Sequence, residues 1–232
     1  MMAELHCRDL EAAIASAAAI LGMPPEELRH AVLIGDPSIA NKPRTIESVV
    51  WFHGTRIPTS TTYREGLLPT PEMVPRFLRM LHDFAIDGRL CSEDEWQALT
   101  ASLDSDLLAW KRGLGGFDNG PHGFLLREVF FDPGDIPVGD YTSEPEYLRC
   151  LRSAFPEDMS NQLLSAYLGT TRRAIVSFRS RKRLSNVVRC ALEYIHTKLT
   201  DAPLHQGCNQ GFYNDGQTVP AADVLGIEWL PD

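Results

Sequence analysis

The chain has 232 residues, 44% of them hydrophobic, and a formal net charge of −9. That size suits one domain carrying insertions, with apolar content ordinary for a packed core. The acidic balance argues against non-specific binding to nucleic acid or to an anionic membrane surface, both of which favour a basic protein.

Taken in chain order, residues 8–22 place Leu10, Ile14, Ala17 and Leu21 on one face, a helix closed by Gly22. Asp9 and Glu11 interrupt this apolar stretch and no basic region precedes it. It therefore reads as an amphipathic helix rather than a signal peptide, and no run reaches the length of a membrane span. Pro24-Pro25-Glu26-Glu27 opens a second helix that runs to about Leu33. Residues 1–45 read as an N-terminal helical segment ahead of a main domain at 46–232.

The main domain begins with Ser48-Val-Val-Trp-Phe, a β-branched and aromatic run that predicts a buried strand. The polar tetrad His53-Gly54-Thr55-Arg56 is placed at its C-terminal end, a usual ligand position in sheet-based folds. Gly54 lacks a Cβ, so backbone can approach a ligand there. His53 and Thr55 flank it with groups that donate and accept hydrogen bonds. Tyr63-Arg-Glu-Gly-Leu-Leu-Pro69 reads as one helical turn stopped by Gly66 and Pro69.

Helical spacing returns with Val74, Phe77, Leu78, Leu81, Phe84 and Ala85. Ser92 with Glu95 three residues on is a capping-box arrangement that opens a second helix, and a short third piece holds Leu107, Leu108 and Trp110. A glycine-rich loop, Gly113 to Gly123, leads to a strand at Phe124–Phe131. Helices are expected around Glu146–Ala154, Asn161–Leu168 and Leu184–Leu199. Strands are expected at Ala174–Arg179 and Val224–Leu230. Strands scattered between helices predict an α+β domain.

The five cysteines, Cys7, Cys91, Cys150, Cys190 and Cys208, are scattered without CxxC spacing, which reads as free thiols in a reducing compartment. The seven histidines form no HExxH or His-x-His pattern, so no metal is expected. There is no Gly-x-Ser-x-Gly and no Walker loop. Cys208 near His205 reads as an incidental or buried thiol. The basic run Arg179-Ser-Arg-Lys-Arg183 is either a solvated cap between strand and helix or a contact for a pyrophosphate or an acidic partner.

The strand Trp51-Phe52, the tetrad His53-Gly54-Thr55-Arg56 and the following Gly66-Leu67 together resemble the first motif of the ADP-ribosyltransferases, the fold of diphtheria toxin and the poly(ADP-ribose) polymerases. That resemblance implies two packed, mostly antiparallel sheets around an NAD cleft, with N-terminal helices and a helical insertion at 70–112. It implies that Gly54 clamps the nicotinamide carboxamide through its backbone and that His53 holds a ribose hydroxyl. Thr55 and Arg56 would also contact the cofactor. An aromatic side chain stacks on nicotinamide in this family, and Phe124, Tyr63 and Tyr141 are the candidates.

The family also places a catalytic carboxylate after a Tyr-Asn pair on a late strand, followed by a closing apolar segment. Tyr213-Asn214-Asp215, with Val224 nine residues later, is similar to that pattern. Asp215 would stabilise the oxocarbenium-like ribose as the C–N bond of NAD breaks. Its side chain has one methylene fewer than glutamate and reaches about 1.5 Å less far. Gln217 is a second polar candidate on the same segment.

The resemblance implies an NAD-dependent mono-ADP-ribosyltransferase, a glycosyltransferase-class enzyme with His53 and Asp215 as its catalytic residues. NAD is its substrate, and its partner is a protein acceptor rather than nucleic acid or membrane. In size and in its atypical carboxylate motif the chain is similar to the CteC-like bacterial effectors, which modify threonine on ubiquitin. On that likeness it is a cytoplasmic protein, or one delivered into a host cytosol without a cleavable signal peptide. Two other readings stay open. The tRNA 2′-phosphotransferases also carry a His-Gly-Thr strand end but need a basic RNA-binding surface. A non-catalytic NAD or ADP-ribose binding module would keep the cleft and lack the glutamate.

Overall fold

The computed structural model describes residues 3–41, 46–101, 119–138, 141–145, 148–149, 152, 155–182 and 184–231. The helix expected at 107–110, most of the glycine-rich loop and most of the helix expected at 146–154 lie outside them. The same holds for Cys150 and Arg183.

Among the described residues the fold is α+β, with six α-helices and one six-stranded sheet. Strand β1 is Glu4–Leu5 and β2 is Ser48–Pro58. Then follow β3 (His122–Phe124), β4 (Thr171–Ser180), β5 (Gly211–Tyr213) and β6 (Val224–Trp229). The order across the sheet is β5-β3-β2-β4-β6, all antiparallel, with β1 added in parallel to the start of β2. The described residues thus form one sheet, where the resemblance implies two.

The helices are α1 (Leu10–Leu21), α2 (Pro25–Leu33), α3 (Thr70–Asp87), α4 (Glu93–Ala101), α5 (Glu157–Thr170) and α6 (Val187–Leu199). Their ends follow local chemistry. The Asp9 side chain accepts the Ala12 N–H at 2.8 Å, and Gly22, at φ +64°, turns α1 off through the left-handed region. At α4 the Ser92 hydroxyl accepts from the Glu95 N–H, while the Glu95 carboxylate accepts from the Ser92 N–H at 2.7 Å. The expected capping box is therefore present.

Alternation along β2 sends odd-numbered side chains to one face of the sheet. Val49 and Trp51 there join Phe178 and Phe212 beneath α1, α2 and α6, with Trp51 and Phe212 rings 5.2 Å apart. The opposite face carries a smaller cluster of Val50, Phe52, Ile175 and Leu230. A separate helical core holds Phe77, Leu81, Trp96, Leu163 and Tyr167, from α3, α4 and α5.

The N-terminal segment shares the main body. Leu5 pairs with Val49, and Glu4 receives hydrogen bonds from Ser48 at 2.8 Å and from Arg179. It contributes a strand as well as the two expected helices.

Two expected elements differ. Of the strand expected at Phe124–Phe131 only Phe124 is strand, as the last residue of β3. Leu126 makes a single bridge to Cys7, and Glu128–Phe130 is a 3-10 turn that drops Val129 into the core. The stretch Tyr63–Pro69 is not a helical turn, because Tyr63 (φ +50°) and Gly66 (φ +86°) both leave the right-handed region. Instead Leu67 and Val219 exchange backbone hydrogen bonds at 2.9 and 3.0 Å. No helix among the described residues is long and apolar enough to cross a membrane.

Candidate functional site

The tetrad lies inside β2 rather than at its end, because β4 pairs with β2 without a break from Val49 to Pro58. The other edge of β2 behaves differently. Its ladder to β3 consists of Phe52 opposite Phe124 alone. Beyond that pair lies a cavity of about 440 Å³, within the size range of small-molecule pockets. His53, Thr55 and Ile57 line it from β2, Tyr63 and Leu67 from the following loop, and His122 from β3. Strand alternation explains the first three, which share one face.

His53 is anchored through its ring. Its Nδ1 lies 2.8 Å from the carbonyl oxygen of His122. A carbonyl only accepts, so Nδ1 carries the proton, and in the neutral ring Nε2 keeps a lone pair for a donor. Burial pushes the imidazole down to about 4, against the smaller upward pull of that hydrogen bond. His53 is therefore a neutral ring of fixed tautomer at pH 7, suited to accepting a hydrogen bond from a hydroxyl and unsuited to holding an anion by charge.

The start of α3 closes part of the cavity with Thr70, Met73 and Arg76. At the rim Arg76 pairs with Glu65, which holds the Glu65 carboxyl below its usual range. The helical insertion thus begins as a wall of the site. Gly66 is required for the wall opposite. A Cβ there would collide with the Val219 carbonyl oxygen, and the positive φ disfavours any side chain.

The sequence-derived residues divide into three groups. His53, Thr55 and Tyr63 share the cavity. Gly54, Arg56 and Phe124 do not line it. A Cβ on Gly54 would stand 2.8 Å from Phe130 Cδ1 and 3.1 Å from the Thr142 methyl, so the missing side chain makes room for a packed ring, not for a ligand. Arg56 is buried on that same face. Its guanidinium donates to the Thr171 hydroxyl (3.2 Å), the Thr171 carbonyl (3.2 Å) and the Leu168 carbonyl (3.4 Å). It ties α5 to β4, which corrects its expected role as a cofactor contact. Phe124 packs edge-on against Phe130 with ring centroids 5.6 Å apart. Tyr141, likewise, is not among the cavity's lining residues.

Asp215 forms the third group. It is exposed, at φ +53°, in the turn that follows β5. Tyr213 pairs with His122, and the Gly216 N–H donates to the Gly120 carbonyl at 3.2 Å. These contacts set the turn beside the start of β3, the strand that lies between β5 and β2. Asp215 does not itself line the cavity. Asn214 beside it is buried, and its amide donates to the Gln217 carbonyl at 2.6 Å. Gln217 faces a different niche.

Cys208 is buried, with its sulfur 3.3 Å from the Thr197 hydroxyl. That hydroxyl also lies 3.4 Å from His205 Nε2, so the pair is part of the packing under α6. No group of three or more potential metal ligands occurs among the described residues.

His122 is the partner of His53 that sequence reasoning missed. It acts through its backbone oxygen, which no side-chain pattern encodes. The signal available was its place in Gly-Pro-His-Gly directly ahead of Phe124.

No family model, curated protein or solved structure matches this chain.

Proposed function

We propose that this protein is an NAD-dependent mono-ADP-ribosyltransferase. The observation that carries the reading is the neutral, tautomer-locked His53 in a cavity shared with Thr55 and Tyr63. NAD has ribose hydroxyls that can donate to Nε2, and Tyr63 supplies an aromatic face for a planar ring. The cavity's apolar and hydroxyl-bearing walls fit the adenosine or nicotinamide half of the dinucleotide.

In this reading His53 and Thr55 hold ribose and amide groups. The carboxylate of Asp215, in the turn after β5, is the group assigned to stabilise positive charge at the nicotinamide ribose. A hydroxyl of a protein acceptor attacks C1′, nicotinamide leaves, and the hydroxyl proton passes to solvent. Threonine on ubiquitin is the acceptor suggested by the likeness to CteC-type effectors.

The exposure of Asp215 outside the cavity favours a second reading, a binding module that holds NAD or ADP-ribose without cleaving it. Intact-mass analysis of ubiquitin after incubation with the protein and NAD tests the first reading. An ADP-ribose increment that fragments to a threonine, and that disappears with His53→Ala, supports it. NAD binding without any adduct on ubiquitin or on lysate proteins supports the second.

A further inference from the structure

The basic run at the end of β4 is not part of the His53 cavity. Arg179, Ser180, Arg181 and Lys182 line a second niche, of about 270 Å³, with Thr218 and Asp223 opposite. The Leu67–Val219 bridge separates the two, since Leu67 lines one and Val219 the other.

The charges in this niche are unevenly compensated. Arg179 is held by Glu4, and Asp223 adds a further attraction to it. Lys182 is held differently. Its ammonium donates to the Asn214 side-chain oxygen at 2.9 Å and to the Gln217 side-chain oxygen at 2.7 Å. Both acceptors are neutral, so they fix the lysine in place without cancelling its charge. An ammonium has three protons, and the third remains for another acceptor. The Ser180 hydroxyl oxygen accepts the Lys182 N–H at 3.0 Å, which leaves its own proton to donate. Arg181 is exposed beside it.

We propose that this niche binds a phosphate-class oxyanion. Lys182 supplies a pre-oriented charge, Arg181 a second cation, and Ser180 and Thr218 hydroxyl donors. Charge-assisted hydrogen bonds from donors already held in place are the strong kind, and little ordering is left to occur on binding. Among the described lining residues Asp223 is the one opposing carboxylate, and it attracts Arg179. Because Lys182 grips both ends of the turn carrying Asp215, an anion that draws on the ammonium will be felt at that turn. The site stands on its own contacts and does not depend on NAD chemistry elsewhere.

The test is a titration of the full chain with inorganic phosphate, followed by NMR at the backbone amides of Ser180–Lys182 and Asn214–Gln217. Ionic strength is held constant with chloride to remove general screening. O-phosphoserine in a parallel arm separates a free anion from a phosphomonoester, and saturation in either arm supports the site. Lys182→Gln should weaken binding about tenfold and Lys182→Arg should restore most of it. Asp223→Asn, by removing the opposing charge, should tighten binding several-fold. His53→Ala should leave binding unchanged. Absence of saturable shifts in both arms overturns the proposal. So does equal affinity in wild type and in a Lys182→Gln variant with native near-UV circular dichroism, or loss of the shifts in His53→Ala.

Discussion

The ring of His53 is tied to the backbone of His122, Nδ1 to carbonyl oxygen at 2.8 Å, across the point where β2 and β3 part. This one bond sets the tautomer, aims Nε2 and spans the edge of the cavity. Its consequences can be measured separately.

The first concerns pH. Burial lowers the folded-state value of His53 to about 4 from the usual 6.5. The unfolded chain therefore binds more protons between those two values, and stability falls as pH drops through that window. The stabilisation from keeping His53 neutral is fully present above about 6.5, and up to about 3 kcal/mol of it is lost on approaching 4. Urea unfolding at a series of pH values should show a steeper acid loss in wild type than in His53→Gln. Histidine-detected NMR should find one ring that does not titrate above pH 5.

Gly54 should be intolerant for reasons of packing. Gly54→Ala drives a methyl into the Phe130 ring, whose Cδ1 already stands 2.8 Å from the Cβ position. A loss of about 1–3 kcal/mol in unfolding free energy is expected. Phe130→Ala in the same chain should remove most of the added penalty, although it lowers stability by itself. Two variants with additive losses would show that the ring is not the obstacle.

Arg56 provides a sharper contrast, since its sequence position suggests ligand contact and its structure gives it another task. Replacing it with leucine removes the donors for Thr171 and Leu168, so a loss of about 1–3 kcal/mol in stability is expected. NAD affinity of the folded protein, measured by calorimetry below the unfolding transition, should be unchanged. Tyr167→Phe should destabilise in the same direction, because the Tyr167 hydroxyl donates to the Arg56 carbonyl at 2.7 Å.

The helical core beside the site should be separable from it. Leu81 is fully buried against α4 and α5 residues, and Leu81→Ala should cost about 2–5 kcal/mol. The chemical shift of the His53 ring should stay in place in that variant at temperatures where the protein remains folded. A moved His53 signal would mean that the insertion does more than wall the cavity.

Much of the fold was legible because its signals are local. Asp9 and Gly22 bracket α1, Ser92 and Glu95 cap α4, and the apolar runs of β2 and β4 stand out from their flanks. The shortest strand escaped notice, since Glu4 and Leu5 are too few to show alternation. Residues 125–131 read as strand because Leu125, Leu126 and Val129 are all buried, yet they reach the core from a bridge and a 3-10 turn. Positive φ at Tyr63 and Gly66 undid the helical turn expected there. His53, Thr55 and Tyr63, singled out by the tetrad and the resemblance, line one cavity. Arg56 was assigned to the same ligand, although alternation along an unbroken strand turns its side chain to the other face. Nothing in the pattern of the chain foretold that His122 would act through its carbonyl.

The most direct measurement is release of nicotinamide from NAD by the purified protein, with and without cell lysate, followed by mass spectrometry. Wild type would be compared with His53→Ala and Asp215→Ala. The transferase account predicts release that rises with lysate and is lost in both variants. No release from the folded wild-type protein under any condition, or release unchanged by both substitutions, would contradict it.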